Sequence, residues 1–421
     1  MIPIEHFRAK TLINYAQFQK DKRSLIKNLN KKYKPIRFDE FDINPYPLRF
    51  DKVLIHQIND CHSLLIEAIH KIVTNFFCDP ALQQIISLND KTLKLLQHLK
   101  DKPYEIGAIR PDFLFDKRYQ IKICEINARF PLNSFILLQC LYNEIHKHFA
   151  GKISYNAKML KIVEVFTKFF DNKQPIHIYF YKEKSFDIFL LKNLLRKTSP
   201  NLKWKLPISS EFLFTNKLIK GNNYSQIILN LHQEELLNLE PDLFNEINAS
   251  TYFNDIRTIF IVHDKRLLSI LSNKTIMSKY ISSEKCNRLA SYIVPTYLLS
   301  DRTVQTIKSN PKNWVLKKNS AGKGEGMYIG KETHLTEIST VLNEKKSDYI
   351  AQPFLGQPLF LLLNDSSKNR NANYDGYQTI YLVGSILSFN NALLGPGILR
   401  GSRKTIVNVA QGNTTIFVPI Y

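Results

Sequence analysis

Cysteine is scarce in this chain and follows no pattern. Five of the 421 residues are cysteines, at positions 61, 78, 124, 140 and 286. The odd count and the lack of any CxxC pair exclude a secreted disulfide framework and fit reduced thiols in a cytoplasmic setting. Long apolar runs are missing too. Charges interrupt every apolar stretch of the opening "MIPIEHFRAKTLINYAQFQK", so it lacks the core of a signal peptide. Nothing approaches the roughly 20 apolar residues that span a bilayer, so a soluble protein without membrane partners is expected. Internal repeats and low-complexity linkers are absent, and only "NDSSKNRNANYDG" (364–376) reads as a mobile loop. Both common phosphate-binding signatures, GxxxxGK[ST] and a GxGxxG at a strand-to-helix turn, are also absent.

What is present is ample material for two or three cores, with 44% hydrophobic and 12% aromatic residues. A net charge of +21 concentrates anions such as nucleotides, nucleic acid or acidic membranes around the protein. The lysines, however, are spread along a chain rich in Asn, Ile and Tyr. A generic basic surface therefore accounts for the charge, and nucleic acid is not expected as a dedicated partner.

The spacing of apolar residues divides the chain. Residues 1–100 carry helical periodicity, as in "VLIHQINDCHSLLIEAIHKIVTNFF", and read as an all-helical N-terminal region. Residues 101–172 place a β-hairpin, "IRPDFLFDKRYQIKICEINARF" from Ile109 to Phe130, between helices. Residues 173–263 alternate short strands and helices ("IHIYFY", "FDIFLLKNLLRKT", "LKWKLPI", "YSQIILNL", "RTIFIVHD"), the pattern of a small open α/β sheet. Residues 264–421 hold most of the glycines, including "NSAGKGEGMYIG" and "LLGPGILRGS".

Three clusters carry candidate chemistry. In the hairpin, residues two apart share a face, so Arg110 goes with Asp112 and Glu125 with Asn127. A turn centred between Arg118 and Tyr119 sets Asp112 opposite Glu125 and Arg110 opposite Asn127, whereas a one-residue slip separates the pairs. The other face (Ile109, Phe113, Phe115, Cys124, Ile126) is apolar. Two carboxylates, an amide oxygen and a guanidinium suit a hard cation beside a phosphate, because Mg²⁺ takes oxygen ligands and completes its shell with substrate phosphates. The same residues also read as a surface with incidental ion pairs.

The second cluster, "WVLKKNSAGKGEGMYIG" (314–330), delivers Lys317 on a strand ahead of Gly322, Gly324 and Gly326, whose amides can approach phosphates with no Cβ in the way. A purely structural glycine hairpin is the other reading. The third, "IFIVHDKRLLSIL", ends a β run in His263, Asp264 and Lys265 at the start of a helix. A cap by Asp264 beside a solvated Lys265 is the alternative.

Taken in order, these clusters resemble the ATP-grasp family, in which a "DK" lysine and a "V-x-K-P" lysine before a glycine-rich loop contact ATP phosphates. The equivalents here are Lys265 and Lys317. "IVPTYLL", around Pro295 and Thr296, stands where the family has a short strand. "DYIAQPFLGQP" resembles the linker against adenine, with Gln352, Phe354 and Leu355 as candidates for the adenine edge and faces. The acidic hairpin precedes the two lysines, an order that resembles the circularly permuted branch, the glutathionylspermidine synthase-like carboxylate–amine ligases. That resemblance runs from about Gly107 to the C-terminus.

The resemblance implies an α/β (α+β) fold, ATP-grasp-like and circularly permuted. A small open α/β pre-ATP-grasp domain and a helical N-terminal region would accompany it. It also implies ATP and Mg²⁺, with Asp112, Glu125 and Asn127 as metal ligands and Arg110 assisting an acyl phosphate. The substrates would be a small carboxylate and an amine. "GPGILRGSRKTIVNV" offers Arg400, with Arg403 and Asn408, for the acidic substrate or the phosphate, or else forms a surface turn. The terminal "TTIFVPIY" reads as a strand needed by the fold. Lys318 stands where the family usually has proline, and Arg129 where the permuted branch often has an acid. The first hundred residues match no pattern. Two other functions stay open: an ATP-grasp phosphotransferase acting on a non-carboxylate acceptor, and a basic nucleic-acid-binding protein with a degenerate nucleotide fold. The identities of the acid and amine and the oligomeric state are not readable from the chain.

Overall fold

A 13-residue strand, Tyr377–Phe389, organises the largest sheet. In the computed structural model, which describes residues 4–6, 14–34, 36–132, 134–149, 153, 160–171, 173–180, 187, 190–191, 226–322, 324–363, 376–407, 409 and 414–421, it pairs antiparallel with four other strands. These are Phe360–Leu363, Ala392–Pro396, Leu399–Ser402 and the hairpin strand Ala108–Phe115. The hairpin partner Ile121–Asn127 closes one edge, and Thr415–Phe417 with Asp42–Ile43 closes the other. The sheet is therefore built from both halves of the chain. Residues 364–375 of the expected loop, most of "FDIFLLKNLLRKT" and all of "LKWKLPI" lie outside the described residues.

The N-terminal region is not all helical, as its periodicity implied. Strands Ile4–His6, Asp42–Ile43 and Leu48–Phe50 interrupt it. At two or three residues they are too short to show alternation, and two of them find partners at the far end of the chain. Asp42 pairs with Thr415 and Leu48 with Pro419. "TTIFVPIY" is accordingly two strands, Thr415–Phe417 and Pro419–Ile420, which enter different sheets on either side of buried Val418.

The helix Lys52–Asn75 starts where Asp51 accepts the Leu54 N–H at 2.7 Å. It buries Leu54, Ile58, Cys61, Leu65, Ala68 and Ile72, spaced by three and four, in the core beneath the hairpin. Full burial of a leucine or isoleucine there stabilises by about 1.5–3 kcal/mol as an upper bound. Gln57 from the same helix accepts the Ile121 N–H at 3.1 Å, which fixes the helix against the hairpin.

The small open sheet has three parallel strands among the described residues: His177–Phe180, Gln226–Asn230 and Thr251–Phe253. "RTIFIVHD" is not one of its strands. Thr258–Val262 forms a π-helical turn with all five residues buried. A short apolar run of this kind reads alike whether it is a buried strand or a buried helical turn, so periodicity could not decide.

A four-stranded antiparallel sheet (Met327–Ile329, Trp314–Lys318, Tyr349–Pro353, Tyr297–Leu298) carries the glycine-rich loop. It has its own core, with Val304 and Ile307 from the helix Asp301–Ser309 and Ile338, Val341 and Leu342 from the helix Leu335–Glu344 against Leu316. Strands from Phe360 to Phe417 join the sheet of the acidic hairpin, and Pro419–Ile420 joins Leu48–Phe50, so the segment 264–421 contributes to three sheets.

Gly384 sits opposite Phe113 in the large sheet, and a Cβ on it would lie 2.2 Å from the phenyl ring. The glycine is required for space, because the ring lies across the backbone. Gly384→Ala is expected to destabilise the protein by about 1–3 kcal/mol through overpacking. An unchanged urea midpoint would show that the ring can move aside.

Candidate active site

The acidic face of the hairpin depends on one irregularity. Next to the turn, Phe113 pairs with Ile123 and Leu114 with Lys122. Continued regularly, that ladder would set Asp112 against Cys124. A β-bulge between Asp112 and Phe113 restores the pairs Asp112–Glu125 and Arg110–Asn127. Cys124, expected on the apolar face, is the extra residue and lines the cavity instead. Its thiol donates to the Asp112 carbonyl at 3.4 Å, and burial pushes that thiol up to about 11.

Asp112 is the hub. It is 1% exposed and holds two guanidinium groups, Arg110 Nε at 3.0 Å and Arg400 Nη2 at 2.8 Å. A carboxylate so buried is tolerable only with such partners. Burial works against the Arg400 charge, yet Asp112 and then Glu125 hold its pKa above the ordinary value. Asn127 Nδ2 lies 3.0 Å from Asp112 Oδ2 and 3.0 Å from Glu125 Oε1, so one amide marks the point where both carboxylates converge. No three His, Cys, Asp or Glu side chains form an all-protein metal cage among the described residues. Two carboxylates and an amide are nevertheless the hard donors that suit Mg²⁺ shared with phosphates, provided the Asn127 amide turns to present its oxygen.

Lysines form the opposite wall. Lys317 Nζ donates to the Cys124 carbonyl at 3.1 Å, a bond between residues 193 apart in sequence. Lys265 Nζ donates to the Ala321 carbonyl in the glycine loop, and its own backbone N–H bonds Asn319 O at 3.0 Å. Burial opposes the Glu125 charge, but Lys265 and Lys317, then the Asn127 hydrogen bond and Arg400, hold this carboxyl well below the usual carboxylate range. Lys265 itself is lowered by burial, with Lys317 adding to that and Glu125 opposing it.

Both walls line a cavity of about 130 Å³. Asp112, Glu125, Arg400, Lys265, Lys317 and Gly324 lie around its polar part, and Val294, Val315, Met327, Ile329, Phe354 and Leu355 around an apolar slot. Lys331 Nζ stands 4.0 Å from the Phe354 ring centre. Gln352 also lines the cavity, with its amide donating to Thr296 Oγ1 at 2.9 Å and Cys124 O at 3.3 Å. Arg110 and Asn127 touch Asp112 but are not part of the cavity wall. Gly322 faces a second cavity, and Gly326 (φ +64°) packs against Lys318, where a Cβ would come within 2.9 Å. Arg403 is exposed, Asn408 lies outside the described residues, and Thr405, Ile406 and Val407 reach the cavity in their place. Thr405 Oγ1 bonds Glu332 Oε1 at 2.5 Å, joining the two walls.

Sequence reasoning missed the residues that brace this site. Asn254, fully buried, accepts the Ala108 N–H at 2.9 Å and donates to Ala128 O at 3.1 Å, clamping both open ends of the hairpin. Gly107 (φ +72°) leaves room for that amide, since a Cβ there would lie 1.5 Å from Asn254 Oδ1. His263 accepts the Ala128 N–H on Nδ1 at 3.4 Å. Burial, with Lys265 and Arg129 nearby, lowers it to about 3, so it is neutral. Nothing in "TYFNDIRT" marks Asn254; the glycine at 107 was the one available signal.

Comparison with known proteins places this geometry in context. Residues 61–261, which include the hairpin, match the AnkG N-terminal domain. The chain is 21% identical over 432 residues to the "ATP-grasp enzyme ankG" of Aspergillus thermomutatus, covering 89% of this chain and 88% of that protein. The likeness therefore runs through both walls of the cavity. No helix among the described residues is long and apolar enough to cross a membrane.

A carboxyl held below its ordinary pKa in the folded state stabilises that state above the unfolded pKa, and the contribution fades as pH falls through the folded pKa. Glu125 should therefore support stability at neutral pH and cease to do so in acid. Thermal scans from about pH 7 to about pH 3 should show a flatter acid limb for Glu125→Gln than for the wild type. Superimposable limbs would mean that the lysines do not hold the carboxylate.

Proposed function

We propose that this chain is an ATP-dependent ligase of the ATP-grasp type, joining a carboxylate to an amine through an acyl phosphate with release of ADP and phosphate. The observation that carries this reading is the meeting of Lys265 and Lys317 with Asp112, Glu125 and Arg400 around one cavity that has an apolar slot beside it. Similarity to a protein named as an ATP-grasp enzyme supports the same reading.

The slot between Val315, Met327 and Ile329, with Phe354 at its rim, suits a purine ring, and the lysines suit the phosphates that follow it. Carboxylates resist attack because charge and resonance make them poor electrophiles. Phosphorylation of one carboxylate oxygen supplies a leaving group. The amine then adds to the acyl carbon, and the tetrahedral species collapses to amide and inorganic phosphate. Magnesium held by Asp112, Glu125 and Asn127 would neutralise phosphate charge. Lys265 and Lys317 would bind the nucleotide phosphates. Arg400, which lines the cavity, is placed to meet charge on the transferring group, and Arg110 holds Asp112 in position behind it. Closure of the loop from Gly322 to Gly326 would keep water from the acyl phosphate.

Glu125→Ala and Lys317→Ala are each expected to lower ADP release by at least ~10²-fold while circular dichroism stays that of the folded protein. The assay measures ADP release with Mg²⁺ against pooled amino acids, dipeptides and polyamines, and hydroxylamine is added to trap the acyl phosphate as hydroxamate. Full activity in either variant would refute the site. Turnover without hydroxamate would point to transfer onto a non-carboxylate acceptor.

A further inference from the structure

The apolar slot of the cavity ends in one amide whose orientation the structure fixes. Ile329 pairs with Val315 and Val315 with Gln352, so these three side chains stand in one row across the glycine-loop sheet. Met327 and Lys317 pair in the next row on the same face, and all five line the cavity. Gln352 is thus the polar end of an apolar row, one step from a lysine placed for the phosphates. It is 2% exposed, so its amide must bond to protein or to whatever fills the slot.

Which end of an amide faces which neighbour follows from what the neighbours can accept or give. Gln352 faces Cys124 O at 3.3 Å and Thr296 Oγ1 at 2.9 Å. A carbonyl only accepts. The Thr296 hydroxyl spends its proton on the Val294 carbonyl at 2.8 Å, so toward Gln352 it accepts as well. Two acceptors therefore require the NH₂ group between them, because a reversed amide would set Oε1 against two oxygens with no proton to share. Both N–H groups are then used, and Oε1 has no donor among the described residues. Gln357, the other amide of the lining, has no such lock: its Oε1 is buried with no partner among the described residues. Thr296 is buried outside the cavity wall, so it acts on the slot through Gln352.

We infer that Thr296 is a positioning residue that makes the slot selective for a 6-aminopurine, by holding Gln352 with its carbonyl oxygen turned to the exocyclic amino group. The inference rests on the ligase reading, in which the slot takes the base of the nucleotide. Adenine presents N–H donors at that position, whereas hypoxanthine and guanine present a carbonyl oxygen. That oxygen against Oε1 leaves two acceptors desolvated and unpaired, and a site built to bond one group rejects the analogue lacking it for this reason.

The test is calorimetric titration of the full chain with ADP, IDP and GDP, each with Mg²⁺. IDP differs from ADP only at the 6-position and the proton on the adjoining ring nitrogen. Wild-type protein should bind ADP about tenfold or more tighter than IDP and GDP. Thr296→Val removes the acceptor at nearly constant shape and should lower the ADP-to-IDP affinity ratio about threefold or more. Thr296→Ser keeps the hydroxyl and should retain the wild-type ratio. Each ratio is taken within one protein, so a loss of stability common to both titrations cancels. Should Thr296→Val fail to fold, Gln352→Met should lower the ratio in the same way. Equal affinities in the wild type, a ratio that survives these substitutions, or a Thr296→Ser protein as unselective as Thr296→Val would overturn the assignment. Binding of none of the three nucleotides would instead sink the ligase reading.

Discussion

The carbonyl of Cys124 holds the two walls of the site together. It accepts Lys317 Nζ and Gln352 Nε2, while the neighbouring Ile123 carbonyl accepts the Val294 N–H at 3.0 Å. An edge strand of a sheet presents unpaired backbone groups that must find partners. Here they find them on two side chains of the glycine-loop sheet and on the backbone of the segment leading into it, so the same bonds that satisfy the edge also fix the distance between acids and lysines. The bulge makes this work, because it leaves Cys124 outside the regular ladder with Glu125 beside it. Without the bulge the regular ladder would set Cys124 opposite Asp112 and turn Glu125 to the core face.

Charge is the second constraint. Arg110, Arg400, Lys265 and Lys317 surround Asp112 and Glu125, so cations outnumber carboxylates where little water is available to screen them. Such an excess would be costly unless an anion is meant to arrive. Burial keeps His263 neutral between these groups, which spares the site another positive charge while its ring supports the exit of the hairpin. The braces are uncharged: Asn254, His263, Gln352 and Thr296 orient the charged groups without adding to the imbalance.

Much of this was legible in the sequence, and the limits have physical causes. Two short runs rich in Ile and Phe around the polar turn "FDKRYQ" marked the hairpin, and the two-residue spacing of its polar positions marked the shared face. The bulge was not visible, since a single extra residue leaves no compositional mark; the correct pairing was reached from a turn centre that the structure moves to Arg118. The buried turn Thr258–Val262 was unreadable because a fully apolar segment has no polar face to set a period. Strands of two or three residues near the N-terminus stayed hidden, since their partners lie at the opposite end of the chain. Lys317 could be placed from its strand and the glycines after it, but its hydrogen bond to Cys124 depends on tertiary packing alone.

Lys318 shows how a departure from a family pattern can be read physically. Its backbone N–H donates to Gly326 O at 3.1 Å, closing the mouth of the glycine loop, and a proline in its place has no N–H to give. The loop is held at further points: Asn319 N–H bonds Asp348 O at 2.8 Å, and Asn319 O accepts the Lys265 N–H. Lys265 then reaches forward to the Ala321 carbonyl with its ammonium. An ammonium has three donors, so one lysine can keep Ala321 and a phosphate oxygen together. On the ligase reading, a nucleotide entering between the walls would meet the side chain that already holds the loop.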